Sequence, residues 1–275
     1  MALMFAGIDI GSASTKAILM ADSQIISYHI IPSGSDFAES SQVALDEALN
    51  KSNSAFKDIA GAVTTGYGRY ITEINAEAVT EITCAARGAS FLCADTKAIV
   101  DIGGQDTKVI KIGKGGRVLD FVLNDKCAAG TGRFIERIAT SLGLGLDEFA
   151  ARSVGSMTKL PISSTCTVFA ETEVISRISK GESLDGIIRG VHSALAARIY
   201  GLAQRLKIQE AVVACGGGAL NAGLMKELRD LTGDITLPPT GIDPRLLPAI
   251  GAALIATERY ALNPVKHSKL SRPGV

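Results

Sequence analysis

Asp9-Ile10-Gly11-Ser12-Ala13-Ser14-Thr15-Lys16-Ala17-Ile18 returns without a gap as Asp101-Ile102-Gly103-Gly104-Gln105-Asp106-Thr107-Lys108-Val109-Ile110, six of ten positions identical at an offset of 92. An apolar run precedes each copy, Leu3 to Ile8 and Ala98 to Val100, and β-favouring residues follow it. Each copy therefore reads as strand, tight turn, strand. Two halves opening on the same hairpin predict two related α/β domains, 1–95 and 96–262, followed by a flexible tail over 263–275 that carries Pro264 and Pro273.

Outward from the first hairpin, the pattern predicts a strand at Gln24 to Ile31, a helix at Ser41 to Leu49 and a strand at Ile59 to Thr64, ending in Thr65-Gly66-Tyr67-Gly68-Arg69. From the second hairpin the chain turns through Gly113-Lys114-Gly115-Gly116 into a strand that reaches Leu123. Phe134, Ile135, Ile138 and Leu142 then share one helical face, with Gly143 where a C-cap belongs. Further helices are predicted at Val168 to Ser179, Ile187 to Leu206 and Arg245 to Tyr260, and a strand at Ala211 to Ala214.

With 275 residues, 47% of them apolar, the chain can build a full core, which excludes disordered and collagen-like classes. Its 28 basic residues balance 28 acidic ones, which argues against nucleic acid and against anionic membrane as partners. No uncharged apolar run approaches the roughly 18 residues of a spanning helix. The start lacks a basic segment and carries Asp9 within its apolar stretch, unlike a signal peptide. A soluble, cytoplasmic protein is expected. Five cysteines without a Cys-x-x-Cys pair make a disulfide framework improbable in a chain of this length.

Chemistry concentrates in the hairpins. A glycine just past a strand lets backbone approach a ligand closely, and successive N–H groups there form an anion nest. Gly11, Ser12, Ala13, Ser14, Thr15 and Lys16 in one copy, and Gly103 and Gly104 in the other, suit phosphate oxygens. Asp9 and Asp101, at strand ends, suit Mg²⁺ held through its water shell. Facing hairpins would close on the β- and γ-phosphates from both sides. A lone hairpin of this kind is usually only a turn; two with an aspartate each favour phosphate binding. No Gly-x4-Gly-Lys-Ser/Thr occurs, so this is no P-loop. Gly216-Gly217-Gly218, between a strand and a helix, suits the sugar or α-phosphate of a nucleotide, although a plain turn explains it as well.

Cys127 and Cys166 stand among small and hydroxylated residues just before predicted helices, where free N–H groups and the helix dipole favour a thiolate. Two thiolates do not complete a zinc or iron–sulfur site; a twofold dimer would supply two more. Residue chemistry leaves ligand and buried cysteine equally open for this pair, and favours burial for Cys84, Cys93 and Cys215. His29, His192 and His267 read as surface or satisfied residues, and Glu171 and Glu173 as solvated.

Gly7-Ile8-Asp9-Ile10-Gly11-Ser12, Asp101 to Asp106, Asn124-Asp125-Lys126-Cys127-Ala128-Ala129-Gly130-Thr131-Gly132-Arg133-Phe134 and Ser163-Ser164-Thr165-Cys166-Thr167-Val168-Phe169-Ala170-Glu171 together resemble the activators of 2-hydroxyacyl-CoA dehydratases, a family that includes the ATPase subunits of benzoyl-CoA reductase. The resemblance runs from about Phe5 to Ala261. It implies an actin/Hsp70/hexokinase-type fold: two ribonuclease-H-like domains with a nucleotide cleft between them. It further implies a homodimer sharing one [4Fe–4S] cluster through Cys127 and Cys166 of both chains. ATP, hydrolysed to ADP with Mg²⁺, would gate transfer of single low-potential electrons from reduced ferredoxin or flavodoxin to an iron–sulfur acceptor enzyme. By the same resemblance, Asp9 and Asp101 organise Mg²⁺, Gln105 or Asp106 orients the attacking water, and Gly217 and Gly218 lie along the adenosine. Two segments depart from the family pattern: Ala85 stands where a histidine is usual, and Arg245 to Leu254 lacks the usual Gln-Tyr and extra glycine, with Arg245 expected to substitute by stacking on the adenine side. The alternative on the same fold is a sugar- or acetate-type kinase.

Overall fold

The computed structural model describes residues 3–124, 127–163, 166–208, 210–263 and 270–272. In chain order the elements are β1 (Met4–Ile10), β2 (Ser14–Ala21), β3 (Gln24–Pro32), α1 (Phe37–Lys51), β4 (Ile59–Thr65), β5 (Glu77–Ala78), α2 (Glu81–Leu92), β6 (Ala98–Ile102), β7 (Thr107–Ile112) and β8 (Val118–Asn124). They continue as α3 (Gly132–Ser141), α4 (Leu146–Gly155), α5 (Thr167–Ser179), α6 (Leu184–Arg205), β9 (Val212–Cys215), α7 (Ala222–Thr232), β10 (Ile235–Thr236) and α8 (Leu247–Leu262). The chain divides into two compact units. One comprises Met1–Asp95, Ile112–Val118 and Pro239–Val275, the other Thr96–Lys111 and Leu119–Pro238.

The repeated hairpin heads a repeated sheet. The first unit's strands run β3-β2-β1-β4-β5, with β1 antiparallel to β2 and parallel to β4. In the second unit the order is β10-β9-β6-β7-β8, with β6 antiparallel to β7 and parallel to β9. Reading β6 for β1, β7 for β2 and β9 for β4, the two topologies are the same. Register repeats as well: Asp9 lies opposite Lys16 in one hairpin, and Asp101 opposite Lys108 in the other.

In the first unit, strand alternation sends Met4, Ala6, Ile8 and Ile10 to one face, where they bury against Ala44, Leu45, Ala48 and Leu49 of α1. Phe5 points to the other face, onto Ala252, Ile255 and Ala256 of α8. Gly7 shares that face because no side chain fits: a Cβ there would lie 1.9 Å from the Ala249 carbonyl oxygen. Grouping α8 with the second half by sequence position therefore differs from its packing. Its apolar, small-residue surface seals the open face of the first unit's sheet. The Lys114–Gly116 turn also belongs to this unit, where Arg87 of α2 donates to the Gly115 carbonyl at 2.7 Å.

The stretch expected to fray is tied down in part. Asn75 N–H donates to the Ser271 carbonyl at 2.8 Å, and Arg272 pairs with Asp46 and stacks over Phe56. The rest of that stretch, 264–269 and 273–275, lies outside the described residues, and with it His267.

In the second unit Ala98, Val100 and Ile102 face a core made with Phe134 and Ile138 of α3, Phe149 of α4, Val174 of α5, Leu195 and Ile199 of α6 and Leu228 of α7. The apolar face read for α3 is the buried one, and Gly143 closes that helix at φ +67°. His192 is not a surface residue: it is fully buried, its ring tilted against Phe149 and its Nδ1 3.0 Å from the Ile188 carbonyl. Burial pushes its pKa down to about 4, against the opposing pull of Ile188, Asn221 and Glu227. The native state thus binds fewer protons than the unfolded chain between about pH 6.5 and 4. Stability is expected to fall on acidification through that window by up to about 3 kcal/mol from this residue. Urea midpoints from pH 7 to 4.5 check it: His192→Gln should flatten the slope, and an unchanged slope would refute the assignment.

Candidate functional site

The first hairpin is rigid at its base. Asp9, 5% exposed, accepts from Lys16 Nζ at 2.8 Å, and the same ammonium donates to the Ser14 carbonyl at 3.1 Å. Thr15 Oγ1 lies 2.9 Å from Ser33 Oγ and 3.1 Å from Ser40 Oγ, and Ser33 Oγ donates to the Gly11 carbonyl at 2.6 Å. Thr15 and Lys16 are thus buried supports, while Gly11, Ser12, Ala13 and Ser14 form the accessible turn. Arg245 grips Asp243 through two nitrogens, at 2.6 and 3.0 Å, which fixes the plane of its guanidinium. Arg245, with Lys16 nearby, outweighs burial and holds the Asp243 carboxyl below its ordinary range.

The second hairpin repeats this with one change. Lys108 Nζ lies 3.7 Å from Asp101 Oδ2 but 2.7 Å from Asp106 Oδ1, so the turn carboxylate shares the lysine with the strand-end one. Asp101 and Lys108 are buried, Gly103, Gly104 and Asp106 half-buried, and Gln105 exposed.

Each hairpin is backed by a glycine turn, and here sequence reading missed half of the pattern. Gly216, at φ +81°, leaves room for Asp101: a Cβ would sit 2.6 Å from its Oδ1 and 2.6 Å from the Ile102 carbonyl oxygen. In the first unit Gly66 does the same at φ +90°, with Asp9 Oδ1 at 2.4 Å and the Ile10 oxygen at 2.5 Å. Gly68 and Gly218 then crowd Ile10 and Ile102 in turn. Thr65-Gly66-Tyr67-Gly68 is therefore the counterpart of Cys215-Gly216-Gly217-Gly218. The signal was a Gly-x-Gly following a strand, in the same place in both halves. Gly217 is exposed and Gly218 half-buried at this turn.

Cys127 and Cys166 are both exposed, whereas Cys84 and Cys215 are buried and Cys93 is intermediate. Burial pushes the Cys84 thiol up to about 12, leaving it inert. Cys166 is the N-cap residue before α5, and its side chain makes no capping hydrogen bond to that helix. Cys127 precedes a single 3₁₀ turn, Ala128–Gly130, that leads into α3. Its carbonyl accepts from Gly130 N–H at 3.1 Å and Asn124 Nδ2 at 3.0 Å. Asp125, Lys126, Ser164 and Thr165 of the two cysteine motifs lie outside the described residues. Arg137 of α3 and Glu171 of α5 pair at 2.7 Å across a groove of about 620 Å³. Glu171 is thus a bridge between the cysteine helices; Glu173 accepts from Ser163 N–H and hydroxyl and pairs with Arg177.

The second hairpin and a cysteine helix are joined directly within the second unit. Gly132 N–H donates to the Gly103 carbonyl at 2.9 Å, and Arg133 N–H to that of Gly104 at 3.2 Å. Among the described residues no group of three or more His, Cys, Asp or Glu side chains is placed to hold a metal. Two accessible thiols per chain fit a four-thiolate cluster only when two chains contribute.

Four likenesses bear on this arrangement. The BadF/BadG/BcrA/BcrD ATPase family pattern matches residues 6–256. An activator of lactoyl-CoA dehydratase from Anaerotignum propionicum is 43% identical over 92% of this chain and 96% of its own. The activator of the 2-hydroxyisocaproyl-CoA dehydratase from Clostridium difficile, solved with bound ADPNP, superposes with a TM-score of 0.88 at 37% identity, covering 97% of this chain and 98% of that one. A ROK family glucokinase from Streptomyces griseus, at TM-score 0.56 and 13% identity, shares the fold alone, which is the actin/Hsp70/hexokinase type. Among the described residues no helix is long and apolar enough to cross a membrane.

Proposed function

The chain belongs to the BadF/BadG/BcrA/BcrD ATPase family, and from that premise we propose that it is an ATP-dependent activator of an iron–sulfur enzyme of the 2-hydroxyacyl-CoA dehydratase kind. It works as a homodimer in the cytoplasm. Cys127 and Cys166 of both chains would hold a [4Fe–4S] cluster, and reduced ferredoxin or flavodoxin would be the donor of the single electrons destined for the acceptor enzyme. When bound, that cluster supplies one-electron storage at low potential.

The chain's own residues divide the work. Gly11 to Ser14 and Gly103 to Gly104 offer backbone N–H groups to ATP phosphates, with Thr15 and Lys16 bracing the first turn. Asp9 and Asp101, carboxylates near the ends of β1 and β6, would hold Mg²⁺ through its waters. Asp106, or Gln105 beside it, orients the attacking water, and Gly217 and Gly218 take the adenosine.

One observation carries the coupling: the backbone bonds from Gly132 and Arg133 to Gly103 and Gly104. A shift of the hairpin on loss of the γ-phosphate is passed to the start of α3, two residues beyond the turn that Cys127 opens. This is a two-state element biased by a phosphate. The kinase reading has fold likeness behind it and nothing further.

Iron and acid-labile sulfide per chain, measured with solution mass on oxygen-free protein, test the proposal. About two irons per chain in a dimer is the result expected of one bridging four-iron cluster. A metal-free monomer that still hydrolyses ATP would overturn it.

A further inference from the structure

We propose that Arg198 is a positioning residue for the cluster, a fixed positive charge beneath the Cys127 turn that raises the potential at which an electron is accepted there. The inference rests on the cluster reading above and goes beyond it in assigning a residue outside both cysteine motifs.

The geometry is local and over-determined. Arg198 projects from α6, and its Nη1 donates to the Ala129 carbonyl at 2.7 Å. Its guanidinium lies over the Phe134 ring, Cζ 4.9 Å from the centroid, and Phe134 is fully buried. One anchor is on the 3₁₀ turn that Cys127 opens, the other on the helix that follows it. A planar guanidinium fixed by a hydrogen bond on its edge and a ring on its face keeps both place and charge. The half-buried site weakens solvent screening, so the charge acts at more than its value in water.

The two cysteines explain why such a charge is placed here. Cys166 opens α5, thirteen residues long, whose dipole puts partial positive charge at that end of the helix. Cys127 opens only a three-residue 3₁₀ turn, which has no comparable dipole. Arg198 supplies from α6 what the helix end supplies to Cys166. Adding one electron, delivered by the reduced ferredoxin or flavodoxin donor, makes the cluster more negative by one charge. A nearby cation favours that state.

The test is a redox titration followed by electron paramagnetic resonance on oxygen-free protein, comparing wild type with Arg198→Lys and Arg198→Gln. Arg198→Gln should shift the midpoint to lower potential. At a fixed poise its reduced-to-oxidised ratio should fall about tenfold, which for a one-electron couple is about 59 mV. Arg198→Lys, which keeps the charge, should stay close to wild type. A Gln variant titrating with wild type, or a Lys variant falling as far as Gln, would overturn the assignment. Should the Gln variant lose its iron, the Lys variant decides: iron and potential both retained support the charge, and iron lost there too assigns Arg198 a purely architectural part. A wild-type chain that binds no iron would instead fail the parent proposal and remove this one with it, so the two failures are told apart.

Discussion

Cys127→Ser protein, purified without oxygen, is expected to retain its fold and its ATP hydrolysis while losing bound iron and all electron delivery to an acceptor enzyme. The sulfur is exposed, so its loss removes no packing, and exposed substitutions of this size change stability by about 0.5 kcal/mol or less. The backbone bonds that shape the turn run through the Cys127 carbonyl, which serine keeps. A hydroxyl is a hard, protonated group at neutral pH and a poor iron ligand beside thiolates. Cys166→Ser should behave alike, because α5 is capped by backbone geometry and not by the thiol. Cys215→Ser is the contrasting case: buried at the end of β9, it should cost stability and leave iron content alone. Iron analysis, phosphate release and thermal melting on the three variants separate these outcomes. Full iron content in Cys127→Ser would end the reading of this residue as a ligand.

Legibility in the sequence followed the range of the interactions. The duplicated hairpins were readable because their determinants, a period-two apolar strand and a glycine turn, sit within ten residues. The same holds for α3, whose apolar face and closing glycine are local. Helix α2 escaped because its interior, Ala85, Ala86, Gly88 and Ala89, is small-residue rather than periodic apolar. It is buried against α8, a partner far along the chain. The membership of α8 in the first unit was illegible for the same reason, since order along the chain says nothing about which sheet a helix closes. Gly66 stood in the quoted sequence but carried no evident role until Asp9 was seen against it. The residue motifs alone left the cysteine pair undecided. Exposure separates Cys127 and Cys166 from the two buried cysteines, and no single-sequence pattern states exposure.

The α2–α8 crossing should be the most sensitive point of the fold, and Gly251→Ala the substitution that shows it. In an unconstrained helix this change is favourable by up to about 1 kcal/mol. Here the new Cβ would stand 1.7 Å from the Cys84 carbonyl oxygen and 2.9 Å from Gly88 N, both backbone atoms. Gly88 faces α8 in return, its absent Cβ 2.2 Å from the Leu247 oxygen. No rotamer relieves a backbone clash, so the helices must part by more than an ångström. Separation pulls Ala252 and Ile255 from Phe5 and opens the sheet face on which Gly7 lies flat against Ala249. Overpacking of this kind costs about 3 kcal/mol or more once the surroundings cannot yield, equivalent to a fall in Tm of about 10 °C for a chain of this size. Gly201→Ala, within α6 and with nothing inside 4 Å of its Cβ, should move Tm the other way, by a few degrees at most. Opposite signs for one substitution in two helices would locate the effect in the crossing and not in helix propensity. A Gly251→Ala protein melting with wild type would mean that α8 is free to lift from α2.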